Sequence, residues 1–156
     1  MLLMHKVFLK ILFLIPVIGY ANDPFEEINR EVWTFNEGVD NRIARPVAEF
    51  YDDVVPKSIQ SSITNFFSNL DEIDNSINQL LQGKPVAAGN DFARFLVNTT
   101  FGFLGFFDVA SIMGLDEHDE DFGQTLGVWG VPTGPYLMLP FYGPSSPRDL
   151  VGRTIS

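Results

Sequence analysis

The chain is 156 residues long, with ten basic and twenty acidic side chains, a formal net charge of −10, fifteen phenylalanines and no cysteine. Its charge excludes nucleic acid as a partner and electrostatic docking on anionic lipid headgroups; its composition excludes disulfides, a thiolate nucleophile and a cysteine metal site. Any membrane contact must come from apolar insertion, and the phenylalanines supply the means.

Residues 1–21 read as an export signal. Lys6 and Lys10 precede the apolar run from Ile11 to Ile18, and the segment closes on Gly19-Tyr20-Ala21, a small-x-small cleavage pattern. Cleavage is expected after Ala21, an uncleaved apolar anchor being the alternative. Residues 22–156 then form one domain of 135 residues, with eight basic against twenty acidic side chains and a net charge of −12.

Asp23-Pro24-Phe25-Glu26 predicts a helix start, with Asp23 as N-cap, Pro24 at the first helical position and Glu26 closing a capping box. Phe25, Ile28, Val32, Phe35 and Val39 then form one apolar stripe; Trp33, off that stripe, widens the buried face or, as the alternative, sits at a membrane interface. Pro46 and Pro56 punctuate the next region. Ile59, Ile63, Phe66, Phe67 and Leu70 make a second helical face, and Ile73, Ile77, Leu80 and Leu81 a third that ends at Gly83-Lys84-Pro85. Pro85 starts a further helix through Phe92, Phe95 and Leu96.

Residues 95–107 hold no charge, and Gly102 and Gly105 turn or kink the run. At thirteen residues it is too short to span a bilayer, which takes about 20. It reads either as a core helix or as a lipid contact, because a domain this small has more apolar faces than one core can hide. The sequon Asn98-Thr99-Thr100 lies among apolar neighbours and is expected to be buried.

Residues 116–121 form an acidic run read as a solvated loop around His118. Asp119-x-Asp121-x-Gly123 lacks the third carboxylate and the terminal glutamate of a calcium loop, Gly130 standing twelfth, so no metal is expected. Ser111, Asp108 and His118 compose a hydrolytic triad on paper, but no Gly-x-Ser-x-Gly elbow is present and no catalytic residue is assigned. A Gly-rich phosphate loop is likewise missing, and no cofactor is expected.

Between Phe122 and Pro147, five glycines and five prolines fall among 26 residues. That density predicts an extended, turn-rich segment, kept ordered by Trp129, Tyr136, Leu137, Met138, Leu139, Phe141 and Tyr142. Ser146-Pro147-Arg148-Asp149 caps a last short helix from about Asp149. So short a helix either packs on the domain or opens a further part of a longer protein.

In collinear order, Asp23-Pro24-Phe25-Glu26 with Asn29-Arg30, Phe35-Asn36, Arg45-Pro46-Val47-Ala48, Asn65-Phe66 with Asn69-Leu70, Leu81-Gln82-Gly83, Arg94-Phe95 with Asn98-Thr99, Phe107-Asp108-Val109-Ala110, 122–127, Gly134-Pro135-Tyr136, Leu139-Pro140 and Arg148-Asp149 resemble the VacJ/MlaA phospholipid-transport lipoproteins. The resemblance implies an all-α protein of short amphipathic helices, ring-like and embedded in the periplasm-facing leaflet of a Gram-negative outer membrane. Phospholipid mislocalised to the outer leaflet would pass through an amphipathic channel to a soluble periplasmic carrier, in association with a trimeric porin and without covalent chemistry. Phe95, Phe101, Phe103, Leu104, Phe106 and Phe107 are the expected membrane-facing residues. Gly123, Thr125, Gly127, Gly130, Thr133 and Tyr136 are the expected channel lining. Two departures stand out: the lipidated cysteine of such proteins is absent, and they continue with further helices, so the domain is expected to be incomplete at its C-terminus. A truncated porin-binding protein without transport and an exported lipid hydrolase are the rival readings.

Overall fold

The computed structural model describes residues 23–155; the expected export signal lies outside them. The order is α1 (Glu26–Val39), a π-helical turn (Asp40–Ala44), α2 (Arg45–Val54), α3 (Lys57–Leu81), α4 (Pro85–Thr100), α5 (Val109–Ile112), α6 (Phe122–Val128), strands β1 (Leu137–Leu139) and β2 (Gly143–Ser145), and α7 (Pro147–Ile155). The all-α expectation holds. Helix α3 packs on α4, α6 on α7, and α1 on β1.

The start of α1 differs from the expected cap. Asp23 accepts the amide of Phe25 at 2.9 Å and the side chain of Asn29 at 2.8 Å, so Pro24 and Phe25 form a turn and the helix begins at Glu26. Glu26 pairs forward with Arg30 at 2.8 Å instead of closing a capping box. Pro46 does not punctuate the chain. It sits in the first turn of α2, and the helical path reaches it through the π-helical turn, with Ala44 and Arg45 both in the right-handed helical conformation. Pro56 does break the helix: Val55 before it is extended, as the residue ahead of a proline tends to be.

The two expected helical faces after Pro56 belong to one helix, the 25-residue α3. It ends where Gly83 takes φ +78° and the amides of Gly83 and Lys84 return to the carbonyls of Leu80 and Gln79. Helix α4 stops at Thr100, and 101–107 wind back through positive φ at Phe103, Leu104 and Gly105. A Cβ on Gly105 would meet that of Asn69 at 2.6 Å, so the glycine is required by close approach as well as by its backbone. Residues 95–107 are therefore not one core helix.

The segment after Phe122 is not extended throughout, because α6 occupies its first seven residues. Asp121 caps α6 by accepting the amide of Gln124 at 2.6 Å. Its glycines let α7 come close: a Cβ on Gly152 would lie 2.4 Å from the Gly123 nitrogen. Helix α7 starts at Pro147, two residues before the expected start, and packs on α6. The turn-rich character begins only after α6, where β1 and β2 pair antiparallel with Met138 opposite Pro144.

The burial pattern runs opposite to that of a water-soluble domain. Among the described residues the buried apolar side chains are Ala88 and Ala110, while the largest fully buried ones are Arg94, Gln79, Glu72, Thr125 and Asp91. Ile28, Phe35, Ile59, Ile63, Phe67, Leu70, Ile73, Ile77 and Trp33 are exposed. The apolar stripes are present, but they face outward, and Trp33 widens an exposed face rather than a buried one. No helix among the described residues is long and apolar enough to cross a membrane.

Candidate functional site

Helices α3 and α4 meet through a polar seam with helical spacing. On α3 it runs Asn65, Asn69, Glu72, Ser76 and Gln79, in steps of four and three, and on α4 Asp91, Arg94 and Asn98. At its centre the Arg94 guanidinium is bonded to Glu72 and donates to the Leu115 carbonyl at 2.7 Å, to the Ser111 hydroxyl at 3.1 Å and to Asp108 at 3.4 Å. Burial opposes the Arg94 charge, but Glu72, Asp108 and Glu117 outweigh it and raise the guanidinium further, so it stays a cation. Burial pushes the Glu72 carboxyl up against the pull of Arg94. For Asp108, burial is outweighed by bonds from Ser111 and Asn98 and by Arg94, and the carboxyl falls below the usual aspartate value.

Asn98 ties this seam to α5, donating to Asp108 at 3.1 Å and accepting the Ala110 amide at 2.8 Å. The sequon asparagine is thus buried, as expected. Asp108 caps α5 through the Ser111 amide and also accepts a hydrogen bond from the Ser111 hydroxyl. His118 Nδ1 pairs with Asp91. Ser111, Asp108 and His118 therefore do not form a relay: the serine hydroxyl donates to the carboxylate of its own helix cap, and the histidine pairs with a different aspartate.

The acidic run is held against α3, unlike the solvated loop expected. Asn75 donates to the His118 carbonyl at 2.7 Å and accepts the Glu120 amide at 2.9 Å. Glu120 takes Lys84 at 2.8 Å and Gln82 at 2.7 Å. Burial works to raise its carboxyl, and these two partners more than offset that, leaving it below the ordinary glutamate value. Thr125 is fully buried and donates to Asn78 at 2.8 Å, which docks α6 on the same face of α3.

Helix α1 grips the hairpin. Asn29 donates to the Tyr136 carbonyl at 3.1 Å and accepts the Met138 amide at 2.8 Å. Asn36 repeats this one heptad later, to the Leu139 carbonyl at 2.9 Å and from the Phe141 amide at 2.8 Å. The hairpin edge thus finds side-chain amides where another strand would stand.

The residues expected to line a channel have different neighbours. Gly123 faces Asp149 and Gly152, Gly127 faces the Arg148 guanidinium, Thr125 is bonded to Asn78, and Gly130 has open space beside it. Thr133 and Tyr136 are exposed, and Tyr136 lines an open cavity of about 400 Å3 with Asn29, Arg30, Trp33 and Met138. Of the expected membrane-facing set, Phe101 and Phe103 are 73% and 70% exposed and Leu104 and Phe107 are exposed as well. Phe95 and Phe106 are half-buried, Phe106 stacking on Phe66 at 5.2 Å. Composition and motif reading missed the polar seam. Its signal was nevertheless present, as polar residues at the same three-and-four spacing used to find the apolar stripes.

The class that fold and seam define is an all-helical protein turned inside out, its hydrogen-bonded polar network within and its apolar side chains without. The chain belongs to the MlaA lipoprotein family, whose family model matches residues 21–156. It is 41% identical over 142 residues to the intermembrane phospholipid transport system lipoprotein MlaA of Haemophilus influenzae, covering 88% of this chain and 56% of that protein. The protein of the same name from Escherichia coli K12 is 42% identical over 132 residues, covering 82% and 53%. An uncharacterized protein of Rickettsia conorii is 39% identical over 134 residues, covering 86% and 53%. The chain thus spans about half the length of the curated relatives it matches. A solved structure described as "Structural basis for maintenance of bacterial outer membrane lipid asymmetry" aligns with a TM-score of 0.78 at 41% identity, over 84% of this chain and 68% of that one.

Proposed function

We propose that this chain takes part in intermembrane phospholipid transport at the outer membrane of a Gram-negative cell. It lies in the periplasm-facing leaflet and removes mislocalised phospholipid from the outer leaflet for delivery to a soluble periplasmic carrier, beside a trimeric porin. The observation that carries this reading is the inverted burial. Transfer of a single large apolar side chain out of water is worth roughly 1.5–3 kcal/mol, so a few of the exposed phenylalanines suffice to hold the molecule in lipid without a basic patch. Phe101, Phe103, Leu104 and Phe107 form the lipid-facing rim, with Phe95 and Phe106 behind them. The headgroup path runs along the segment from Gly130 to Tyr136, where Gly130, Thr133 and Tyr136 are exposed and Tyr136 lines the open cavity with Asn29 and Arg30. No covalent step is assigned, and the names carried by the relatives support transport.

The test is outer-leaflet phospholipid in a strain lacking the gene, with and without this 156-residue chain supplied back. Restored clearance is expected. Continued accumulation, with the protein verified in the outer membrane, overturns the reading.

A further inference from the structure

The acidic run closes two adjoining cavities against α3. The outer one, about 470 Å3, is open and has Asp71, Asn75, His118 and Asp119 on its walls. The inner one, about 30 Å3, is bounded by Asn69, Glu72, Arg94 and Asp108 among others. Ser68 and Glu117 belong to both and form the passage between them.

Across the two cavities five carboxylates face one guanidinium, and Arg94 already donates to Glu72, Ser111, Leu115 and Asp108. Burial, with Asp74 and Asp119 adding to it, pushes the Asp71 carboxyl up. Two acceptors are left over inside. Asn69 Oδ1 and Glu72 Oε2, on residues only 2% and 1% exposed, are buried with no hydrogen-bond partner. Leaving such groups unmet costs a kilocalorie or more each, so what settles there must donate hydrogen bonds.

A water-sized space whose lining carries two unmet acceptors, and more carboxylates than the single Arg94 guanidinium balances, selects a compact cationic donor. A primary ammonium offers three N–H donors and no acceptor, in about the volume of one water. Three acceptor groups line its way in: the two orphaned oxygens and the carboxylate of Glu117. Among the described residues no three His, Asp or Glu side chains are grouped to hold a metal ion, so these oxygens suit a hydrogen-bonding cation better than a multidentate one.

We propose that the paired cavities bind a primary ammonium group, its –NH3+ seated between Asn69, Glu72 and Glu117 and the remainder of the molecule in the outer cavity. The ammonium comes from an ethanolamine phospholipid headgroup or from a free small amine. The headgroup source rests on the transport reading above; the ammonium site itself does not.

Titration of the purified full chain in detergent with ethanolammonium chloride, and with choline chloride as a control of equal charge lacking N–H donors, tests the site. Saturable binding of ethanolammonium and at least tenfold weaker binding of choline are expected. Asn69 and Glu72 are buried and their variants risk misfolding, so Glu117→Gln, at the exposed passage, is the variant of choice, with a loss of about tenfold expected. Equal binding of both ammonium ions, indifference to Glu117→Gln, or calcium displacing the amine from a common site would overturn the proposal. A second measurement in nanodiscs compares phosphatidylethanolamine with phosphatidylcholine retained by the chain. Preference for the former supports the headgroup source. Binding of the free amine without lipid preference upholds the ammonium site and removes only the headgroup assignment. Failure of the clearance assay with amine binding intact overturns the transport reading and leaves the site standing.

Discussion

Asn29 and Asn36 lie seven residues apart on α1, and each commits both ends of its side-chain amide to the backbone of the β1 region. A carbonyl and an amide of the chain are satisfied by each asparagine, so the pair works as a two-point clamp. Replacing Asn36 by alanine strands the Leu139 carbonyl and the Phe141 amide. A loss of about 1–3 kcal/mol is expected, confined to the hairpin. Hydrogen exchange at Phe141 should accelerate while α3 and α4 stay protected; unchanged exchange there would show that the clamp carries no load.

Arg94 and Glu72 should behave asymmetrically. Arg94→Met leaves the Glu72 carboxyl buried without its partner, a change expected to cost about 3–5 kcal/mol. The double variant Arg94→Met with Glu72→Leu removes the orphaned carboxyl and should recover a large part of that loss. Thermal melts of the two variants in the same detergent compare them, and a double variant no more stable than the single one refutes the pairing.

Glycine positions separate close approach from simple flexibility. Gly152→Ala drives a methyl toward the Gly123 nitrogen and should cost about 1–3 kcal/mol, with α7 loosening first. Gly38→Ala, on α1 with nothing within 4 Å, should instead stabilise by roughly 0.5–1 kcal/mol. Denaturation of the two variants should shift in opposite directions.

Phe101 and Phe103 protrude from the turn after α4 and make little use of the interior. Serine at both positions should leave the fold intact by circular dichroism. Each should weaken partition into lipid vesicles by about tenfold or more, read by flotation. Full retention of vesicle binding would move the lipid contact elsewhere on the surface.

Because the Glu120 carboxyl is held below its ordinary value, its contribution is complete above the unfolded glutamate pKa and is lost as pH falls through the lower folded value. Acid should therefore release the link from Lys84 to the 116–121 loop. In Glu120→Gln the melting temperature should start lower at neutral pH and fall less on acidification. Parallel curves for the two proteins would argue against this linkage.

Much of the architecture was legible from spacing alone. The stripes along α1, α3 and α4 were found by their period, and Pro85 marked the start of α4 correctly. Period says which residues share a face, but not whether that face looks inward, and here the usual assignment fails because polar side chains fill the interior. Helix α6 was hidden by Gly123 and Gly127, which cost helix propensity but let α7 approach. The seam could have been found by tracking Asn69, Glu72, Ser76 and Gln79 as a stripe in their own right. The Asn29 and Asn36 clamp could not, because its partners are backbone groups more than a hundred residues away.

A polar centre also changes how such a molecule responds to temperature. The heat capacity gained on unfolding comes chiefly from hydrating apolar surface, and here that surface is already outside while the groups to be released are amides, carboxylates and a guanidinium. With the exterior kept in lipid or detergent, calorimetry should record an unusually small heat-capacity step for the chain length. The stability curve should be close to linear in temperature, without the cold-side decline that a hydrocarbon core imposes.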